Sequence, residues 1–262
     1  MIITLTTDFG LADPFVGVMK GVLLSIAPNA NLVDITHDVC SYDVLEAALI
    51  LDSSYRYFPH GTIHLVVVDP GVGSQRRPIA AASNGHFFVA PDNGVLSCVL
   101  HQESMSSTPS VYWITNDSLF RRPVSRTFHG RDIFAPVAAH LAQGTPIESA
   151  GPRIADFVTK PLPKPHWRDE KLIGTVLRVD KFGNIITNLR RADLGTNFSI
   201  RVGGHSIERL YSNFSEADSE ELFAFEGSTG YIELALNQGS ASERLNVGRG
   251  AEIEVETGLV NH

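Results

Sequence analysis

A change of rhythm near residue 160 constrains this chain more than any other feature, and proline marks it. Between Thr159 and Trp167 the prolines Pro161, Pro163 and Pro165 alternate with other residues. Each fixes its φ angle and removes a backbone donor, so the stretch is stiff and extended and continues neither a helix nor a central strand. Before it, short β-branched runs alternate with segments of helical period. After it, apolar residues recur every second position between turn signals. The chain is therefore predicted to be an α/β protein of two parts. A layered, Rossmann-like α/β domain covers 1–160, a proline-rich linker 161–171, and a smaller all-β barrel domain 172–262.

In the first part, Ile2–Thr6 reads as a strand ending at Thr7-Asp8-Phe9-Gly10. Phe15–Ala27 carries Val18, Met19, Val22, Leu23 and Ile26 at helical spacing and stops at Pro28. Leu32–Thr36 is a second strand. Asp43 opens a helix, with Glu46 three residues on as in a capping box. Ile63–Val68 is almost wholly apolar, as a strand buried on both faces must be. Further strands are expected at Ile79–Ala82, His86–Val89 and Val111–Thr115, and a helix over Arg131–Gln143 in which Pro136 is out of place. In the second part, strands are expected at Leu172–Val179, Phe198–Val202, His205–Leu210, Tyr231–Leu236 and Ala251–Val255. Gly203-Gly204 forms a hairpin turn, and no helix is expected there.

Charge narrows the function classes. Lys plus Arg number 21 against 29 Asp plus Glu, a formal net charge of −8, which opposes nucleic-acid binding because that requires a basic footprint. Two cysteines, Cys40 and Cys98, make neither a disulfide framework nor a zinc site. The N-terminus meets Asp8 before an apolar signal segment is complete, and no apolar run approaches the roughly 18 residues of a membrane span. A cytoplasmic protein without membrane or nucleic-acid partners is the expectation.

Several reactive groups fall where strands end: Asp8 after the first, His37-Asp38 after the second, Asp69 after the buried one. Ligands of open α/β sheets bind outside those ends, although an Asp there also serves as an ordinary cap or turn residue. Asp69-Pro70-Gly71-Val72-Gly73-Ser74-Gln75-Arg76-Arg77 combines a tight glycine turn with a carboxylate and a guanidinium able to face one cavity; it lacks the Lys-Ser/Thr of a phosphate loop. His129, in Thr127-Phe128-His129-Gly130-Arg131-Asp132, sits in a loop before a helix. Asp180-Lys181-Phe182-Gly183-Asn184 places an acid, an aromatic ring and an amide in one turn, a grip for a polar heterocycle or simply a turn. Asp8, Asp34, His37 and Asp38 offer oxygen and imidazole ligands for a metal but match no sharp metal spacing.

Taken in order, these blocks resemble one family, the S-adenosylmethionine hydroxide adenosyltransferases, relatives of the S-adenosylmethionine-dependent fluorinase and chlorinase. The blocks are Thr6-Thr7-Asp8-Phe9-Gly10 with Asp13, Asp34-Ile35-Thr36-His37, Val68–Gly73, Arg76-Arg77, Ala90–Gly94, Thr127–Asp132, Asp180–Asn184, Gly227-Ser228-Thr229-Gly230-Tyr231 and Leu236-Asn237. The resemblance implies attack of water or hydroxide on C5′ of S-adenosylmethionine, giving adenosine and L-methionine, with no cofactor and no metal. It also implies a homotrimer with active sites between subunits. The catalytic set it implies is Asp69, Arg76 and His129, with Arg77 as a neighbour able to take the place of Arg76. For binding it implies Asp8 at the ribose hydroxyls, Tyr42 and Phe128 lining the pocket, and Asp13 near the methionine end. Asp180 and Ser228 would meet the methionine ammonium and carboxylate; Phe182, Asn184 and Asn237 would hold adenine. Thr229 departs from the arginine of the fluorinase branch. The competing readings are a halogenase, a non-catalytic S-adenosylmethionine or adenosine binder, and a metal-dependent hydrolase built on Asp8, His37, Asp38 and Asp69.

Overall fold

The computed structural model describes residues 1–100 and 108–257 of the 262-residue chain. Residues 258–262, the end of the expected second domain, lie outside the described residues. The chain divides into two compact units, with the break between Pro161 and Leu162.

The first unit runs β1 (Ile2–Thr7), α1 (Phe15–Ile26), β2 (Asn31–Thr36), α2 (Val44–Ser54), β3 (Ile63–Val67), β4 (Pro78–Ser83), β5 (His86–Pro91), α3 (Ser97–Leu100), β6 (Ser110–Trp113), α4 (Ala135–Ala142) and β7 (Arg153–Ile154). Its seven-stranded sheet has the order β2-β1-β3-β5-β4-β6-β7. The first four strands in that order are parallel and the rest antiparallel. The alternation within β3 decides the layering. Ile63, Leu65 and Val67 pack with Met19 and Leu23 of α1 and Val137 and Ala138 of α4. Val66 and Val68 pack on the other face with Ala47 and Leu51 of α2 and Val99 and Leu100 of α3. Truncating such a fully buried leucine costs about 2–5 kcal/mol.

The caps and breaks follow the sequence with two instructive differences. Asp43 Oδ1 accepts the Glu46 N–H at 2.9 Å, yet Glu46 Oε2 reaches back to the Cys40 N–H rather than to the cap residue itself. Pro136 is tolerated because the α-helix begins only at Ala135. Gly130–Phe134 form a wider π-helical turn before it, so the proline falls in the first α-turn, where its missing donor is not needed.

The second unit contains β8 (His166–Arg168), β9 (Lys171–Val179), β10 (Ile185–Arg190), β11 (Phe198–Val202), β12 (His205–Ile207), β13 (Leu210–Tyr211), β14 (Leu222–Glu226), β15 (Tyr231–Leu236), α5 (Ala241–Leu245) and β16 (Glu252–Thr257). Strand β8 falls within the stretch expected to be linker. The short helix α5 was not expected; Ser240 caps it by accepting the Glu243 N–H. The sheet follows β12-β11-β16-β9-β10-β15-β14-β13, with β8 added on β9. This path is open, yet its two ends are joined through Glu208 and Arg209 alone. Such a short tether forces the sheet to curl until its edges approach. The result has the curvature of a barrel around an apolar core, with a seam between β12 and β13 that is not a strand pair.

Candidate functional site

Strand order places the first cluster. The chain leaves β1 for β2 on one side and returns to β3 on the other, so the loops after β1 and β3 diverge at a switch point of the sheet. Thr7 of β1 is in register with Val67 of β3. Asp8 and Asp69 therefore leave adjacent strand ends, and both line one cavity of about 290 Å³ together with Tyr42, Phe128 and His129.

Asp69 is bound side-on by a guanidinium: Arg76 Nε donates to Oδ1 at 3.0 Å and Nη2 donates to Oδ2. Arg76 Nη2 also meets His129 Nδ1 at 3.1 Å. Only 6% of each of the Asp69 and Arg76 side chains is exposed. Arg76 does not line the cavity; it joins two groups that do. Its remaining Nη1 has no hydrogen-bond partner among the described residues. Because an arginine only donates, His129 Nδ1 must accept, and the neutral ring carries its proton on Nε2. Burial and the Arg76 charge hold His129 below its ordinary value, against the pull of Asp69, Asp132 and a hydrogen bond to the Ser125 backbone. Burial pushes the Asp69 carboxyl up, opposed by Arg76 and His129.

Local structure holds these groups in place. Gly73 has a φ of +77°, and a Cβ there would overlap the Arg126 carbonyl oxygen, so the Asp69–Arg76 loop lies directly on the segment leading to His129. Buried Asp132 accepts from Arg131 Nε at 2.7 Å, Arg131 Nη2 at 2.8 Å and the Ser125 N–H at 2.8 Å, which ties both ends of that segment together. Arg77 is committed elsewhere: its Nε donates to Asp92 at 2.9 Å and its Nη1 to Asp156 at 3.0 Å. Of the two neighbouring arginines, only Arg76 contacts Asp69 and His129 among the described residues.

At the other side of the cavity, Asp8 Oδ2 accepts the Tyr42 N–H at 2.8 Å. Tyr42 has a φ of +68° and is 73% exposed, an uncommon conformation for a bulky residue and one concentrated at functional sites. Phe128 packs against Phe9 and Phe15 with ring centroids 6.0 and 5.3 Å away. Phe9 and Phe15, not singled out from sequence, also line the cavity. Phe9 lies inside the Thr6–Gly10 block, and that adjacency was the available signal. Asp13 is exposed before α1 and is absent from the cavity wall.

Three of the four residues considered as metal ligands are otherwise engaged, Asp8 by the Tyr42 N–H. Lys20 Nζ donates to Asp34 at 2.6 Å, His37 Nε2 lies 3.0 Å from Asp34, and His37 Nδ1 meets Thr7 Oγ1 at 2.8 Å. Asp38 is exposed. Among the described residues no three His, Cys, Asp or Glu side chains are grouped to hold a metal ion.

The second unit carries a cavity of about 620 Å³ lined by Asp180, Phe182, Asn184, Phe214, Leu236 and Gln238, among others. Here the loop is tied to itself. Asp180 Oδ1 accepts the N–H groups of Phe182 and Asn184, and Oδ2 accepts from Asn184 Nδ2, each at 2.8 Å. Gly183, at φ +84°, sits so tightly on Ser240 that a Cβ would overlap it. This rigid turn presents the Phe182 ring 73% exposed. Asn237 is spent on the Ala217 carbonyl at 2.8 Å and does not line the cavity, although its neighbours on both sides do. Ser228 is exposed in the turn between β14 and β15.

Comparison with known proteins places the chain in a family. Residues 3–151 match the SAM hydroxide adenosyltransferase N-terminal domain, and residues 174–254 match its C-terminal domain. The (R)-S-adenosyl-L-methionine hydrolase of Salinispora tropica is 38% identical over 98% of both chains. That of Thermus thermophilus is 37% identical, covering 95% of this chain and 97% of its own. The fluorinase of Nocardia brasiliensis is more distant, 30% identical over 98% of this chain and 97% of its own. Among solved structures, an uncharacterized conserved protein from Thermotoga maritima superposes with a TM-score of 0.88 at 40% identity, covering 97% of this chain and 99% of its own. The chain belongs to the SAM hydroxide adenosyltransferase family.

Proposed function

We propose that this enzyme hydrolyses S-adenosyl-L-methionine to adenosine and L-methionine, and that its substrate is the (R) epimer at sulfur named for its relatives. Water attacks C5′, an O–C5′ bond forms, and the C5′–S bond breaks with its electron pair retained by sulfur. Methionine leaves as a neutral thioether, so no acid is needed at the leaving group, and one proton is released. The difficulty lies with the nucleophile, because bulk water has a pKa near 15.7.

The observation that carries this reading is the contact of Asp69, Arg76 and His129 at the wall of the cavity that also holds Asp8. In the tautomer set by Arg76, His129 Nε2–H is a donor that stabilises a water as it becomes hydroxide. Arg76 supplies fixed positive charge from beneath. Asp69, with its carboxyl raised by burial, is the acceptor for the water proton; two of its roughly four lone-pair sites are taken by Arg76. Positioned proton transfer of this kind is worth about 10²–10⁴ in rate. Asp8 keeps Oδ1 for the ribose hydroxyls, and the Phe182 ring with Asn184 holds adenine. No metal or cofactor enters this scheme. The homotrimer with active sites between subunits, and a cytoplasmic location, are part of the same proposal; no helix among the described residues is long and apolar enough to cross a membrane.

Separated sulfur epimers of S-adenosyl-L-methionine, incubated with the protein in halide-free buffer and followed by chromatography, test the reading. Equal amounts of adenosine and methionine from the (R) epimer, lost in His129→Ala, are expected. Turnover that depends on added halide and yields a 5′-halo-nucleoside would instead make the chain a halogenase.

A further inference from the structure

The Asp34-Ile35-Thr36-His37 block lines neither cavity, yet it ends in a buried histidine whose place depends on an irregularity of β2. The step from Leu5 to Thr6 on β1 is matched on β2 by the longer step from Asp34 to Thr36. Ile35 is thus an extra residue, a bulge of the kind that re-aims a side chain. In an unbroken strand Asp34 and His37, three apart, would face opposite sides of the sheet, and Thr36 would lie beside Thr7. The bulge brings His37 beside Thr7 instead and turns it to the side of Asp34. His37 Nδ1 lies 2.8 Å from Thr7 Oγ1, and Nε2 lies 3.0 Å from Asp34 Oδ1.

The partners fix where each proton points. A carboxylate only accepts, so the neutral ring carries its proton on Nε2, toward Asp34, and Nδ1 accepts the Thr7 hydroxyl. Nε2 meets Asp34 off the line of a good hydrogen bond, so Asp34 orients the ring through its charge, and Lys20 Nζ, 2.6 Å from Asp34 Oδ2, holds that carboxylate. Thr7 Oγ1, its proton given to His37, accepts the Phe9 N–H at 3.3 Å. Backbone bonds close the same pair of loops: the Gly10 N–H donates to the His37 carbonyl at 2.8 Å, and the Val39 N–H to the Thr7 carbonyl at 3.3 Å. Thr7 and Phe9 are the two chain neighbours of Asp8, and Asp8 and Phe9 both line the cavity of the first unit. Asp8 therefore leaves a turn clamped on both sides.

We infer that His37 is a positioning residue for substrate binding: through Thr7 it fixes the turn that aims the Asp8 carboxylate into the cavity. The assignment rests on the reading of Asp8 as the carboxylate that meets the ribose hydroxyls. His37 is 4% exposed and does not line the cavity, so it acts on a bound nucleoside through Asp8 and not by contact. An imidazole suits this place because it offers an acceptor at one edge and a donor at the other. Asparagine keeps an acceptor on the Thr7 side; leucine keeps much of the volume and neither bond. The bulge and the histidine thus serve one end, a fixed direction for a carboxylate on the loop between β1 and α1.

The test is a double-mutant cycle on the full-length protein, with adenosine affinity read by calorimetry and S-adenosyl-L-methionine turnover by steady-state kinetics. His37→Leu should weaken adenosine about tenfold and raise KM by a like factor, with kcat within about twofold. His37→Asn should recover most of that affinity. Asp8→Ala should weaken adenosine by itself, and adding His37→Leu to it should cost no more, because the group being aimed is gone. Thr7→Val, which deletes the hydroxyl and keeps the shape, serves if His37→Leu folds poorly; it should give the same split between KM and kcat and the same lack of additivity. Additive losses in the double variant, or a fall in kcat with adenosine affinity unchanged, overturn the assignment. Wild-type adenosine affinity in Asp8→Ala would overturn the ribose reading of Asp8 and the assignment with it. Adenosine binding is read without turnover, so a wild-type protein that binds adenosine but consumes no S-adenosyl-L-methionine would count against the hydrolase reading alone.

Discussion

The loop after β3 and the loop after β9 each contain an aspartate and glycine, and each was singled out in the sequence, but they use their bonds in opposite ways. Asp69 spends its acceptors on Arg76, seven positions on, and through it on His129, brought from a segment far along the chain. Asp180 spends its acceptors on the backbone and amide of its own turn. In the first loop the charged groups hold one another and leave a buried donor, Arg76 Nη1, without a partner among the described residues; in the second they hold the backbone and leave an aromatic face open. The first arrangement suits a step in which charge develops, the second a rigid platform for a neutral ring. On the proposed mechanism the first loop holds the reacting groups and the second the gripping groups, so disturbing each should alter a different kinetic constant.

The largest effect should come from the first loop. His129→Ala is expected to lower kcat by about 10²–10⁴ while leaving adenosine affinity within a few-fold, read by steady-state kinetics and calorimetry. Arg76→Ala should lower kcat as well and also cost about 3–5 kcal/mol of stability in denaturant melts, because it leaves Asp69 buried without its partner. Equal losses of kcat and adenosine affinity in His129→Ala would erase the distinction between the loops. Next in size is a matched pair of glycine substitutions. Gly73→Ala should act mainly on kcat, since the alanine overlaps Arg126 and separates Asp69 from His129. Gly183→Ala should act mainly on KM by displacing Phe182, about tenfold in each case.

The pH profile sharpens the first loop further. The proposed mechanism needs ionised Asp69 and neutral His129. The Asp69 value lies above its ordinary 3.8 and the His129 value below its ordinary 6.5. Protonation of either on acidification removes activity, so kcat/KM should fall on the acid side, with the His129 step below pH 6.5; a His129 ring seen by NMR to titrate above that value would mean that it is not held neutral by Arg76.

The smallest effect concerns stability. His64, buried against Thr4 and His86, is pushed down to about 3, first by burial and then by His86. The unfolded chain takes up this proton below pH 6.5 while the folded one resists, so stability is full above pH 6.5 and declines as pH falls, by about 1.4 kcal/mol per pH unit for one group. Urea melts of His64→Gln should show a shallower decline between pH 6.5 and 4.5 than wild type.

Much of this was legible from residue order. The apolar run at β3 announced a strand buried on both faces, and the strand-end positions of Asp8 and Asp69 pointed to one crevice because the parallel order of strands makes adjacent ends converge. Other features depend on partners that spacing does not reveal. Arg76 and Arg77 are equivalent in sequence; only the claim of Asp92 and Asp156 on Arg77 separates them. Asp13 and Asn237 sit in recognisable blocks, yet one faces solvent and the other braces a carbonyl. The short tether from β12 to β13 likewise curls the second sheet without leaving a pattern in hydropathy.

The most direct test of the central claim, that the Asp69–Arg76–His129 group activates water for attack at C5′, is turnover in ¹⁸O-enriched water without halide, with the products weighed by mass spectrometry. The account predicts adenosine carrying one ¹⁸O at the 5′ position, unlabelled L-methionine, and no such adenosine from His129→Ala. Unlabelled adenosine from wild type, or label appearing equally in the His129→Ala product, would contradict it.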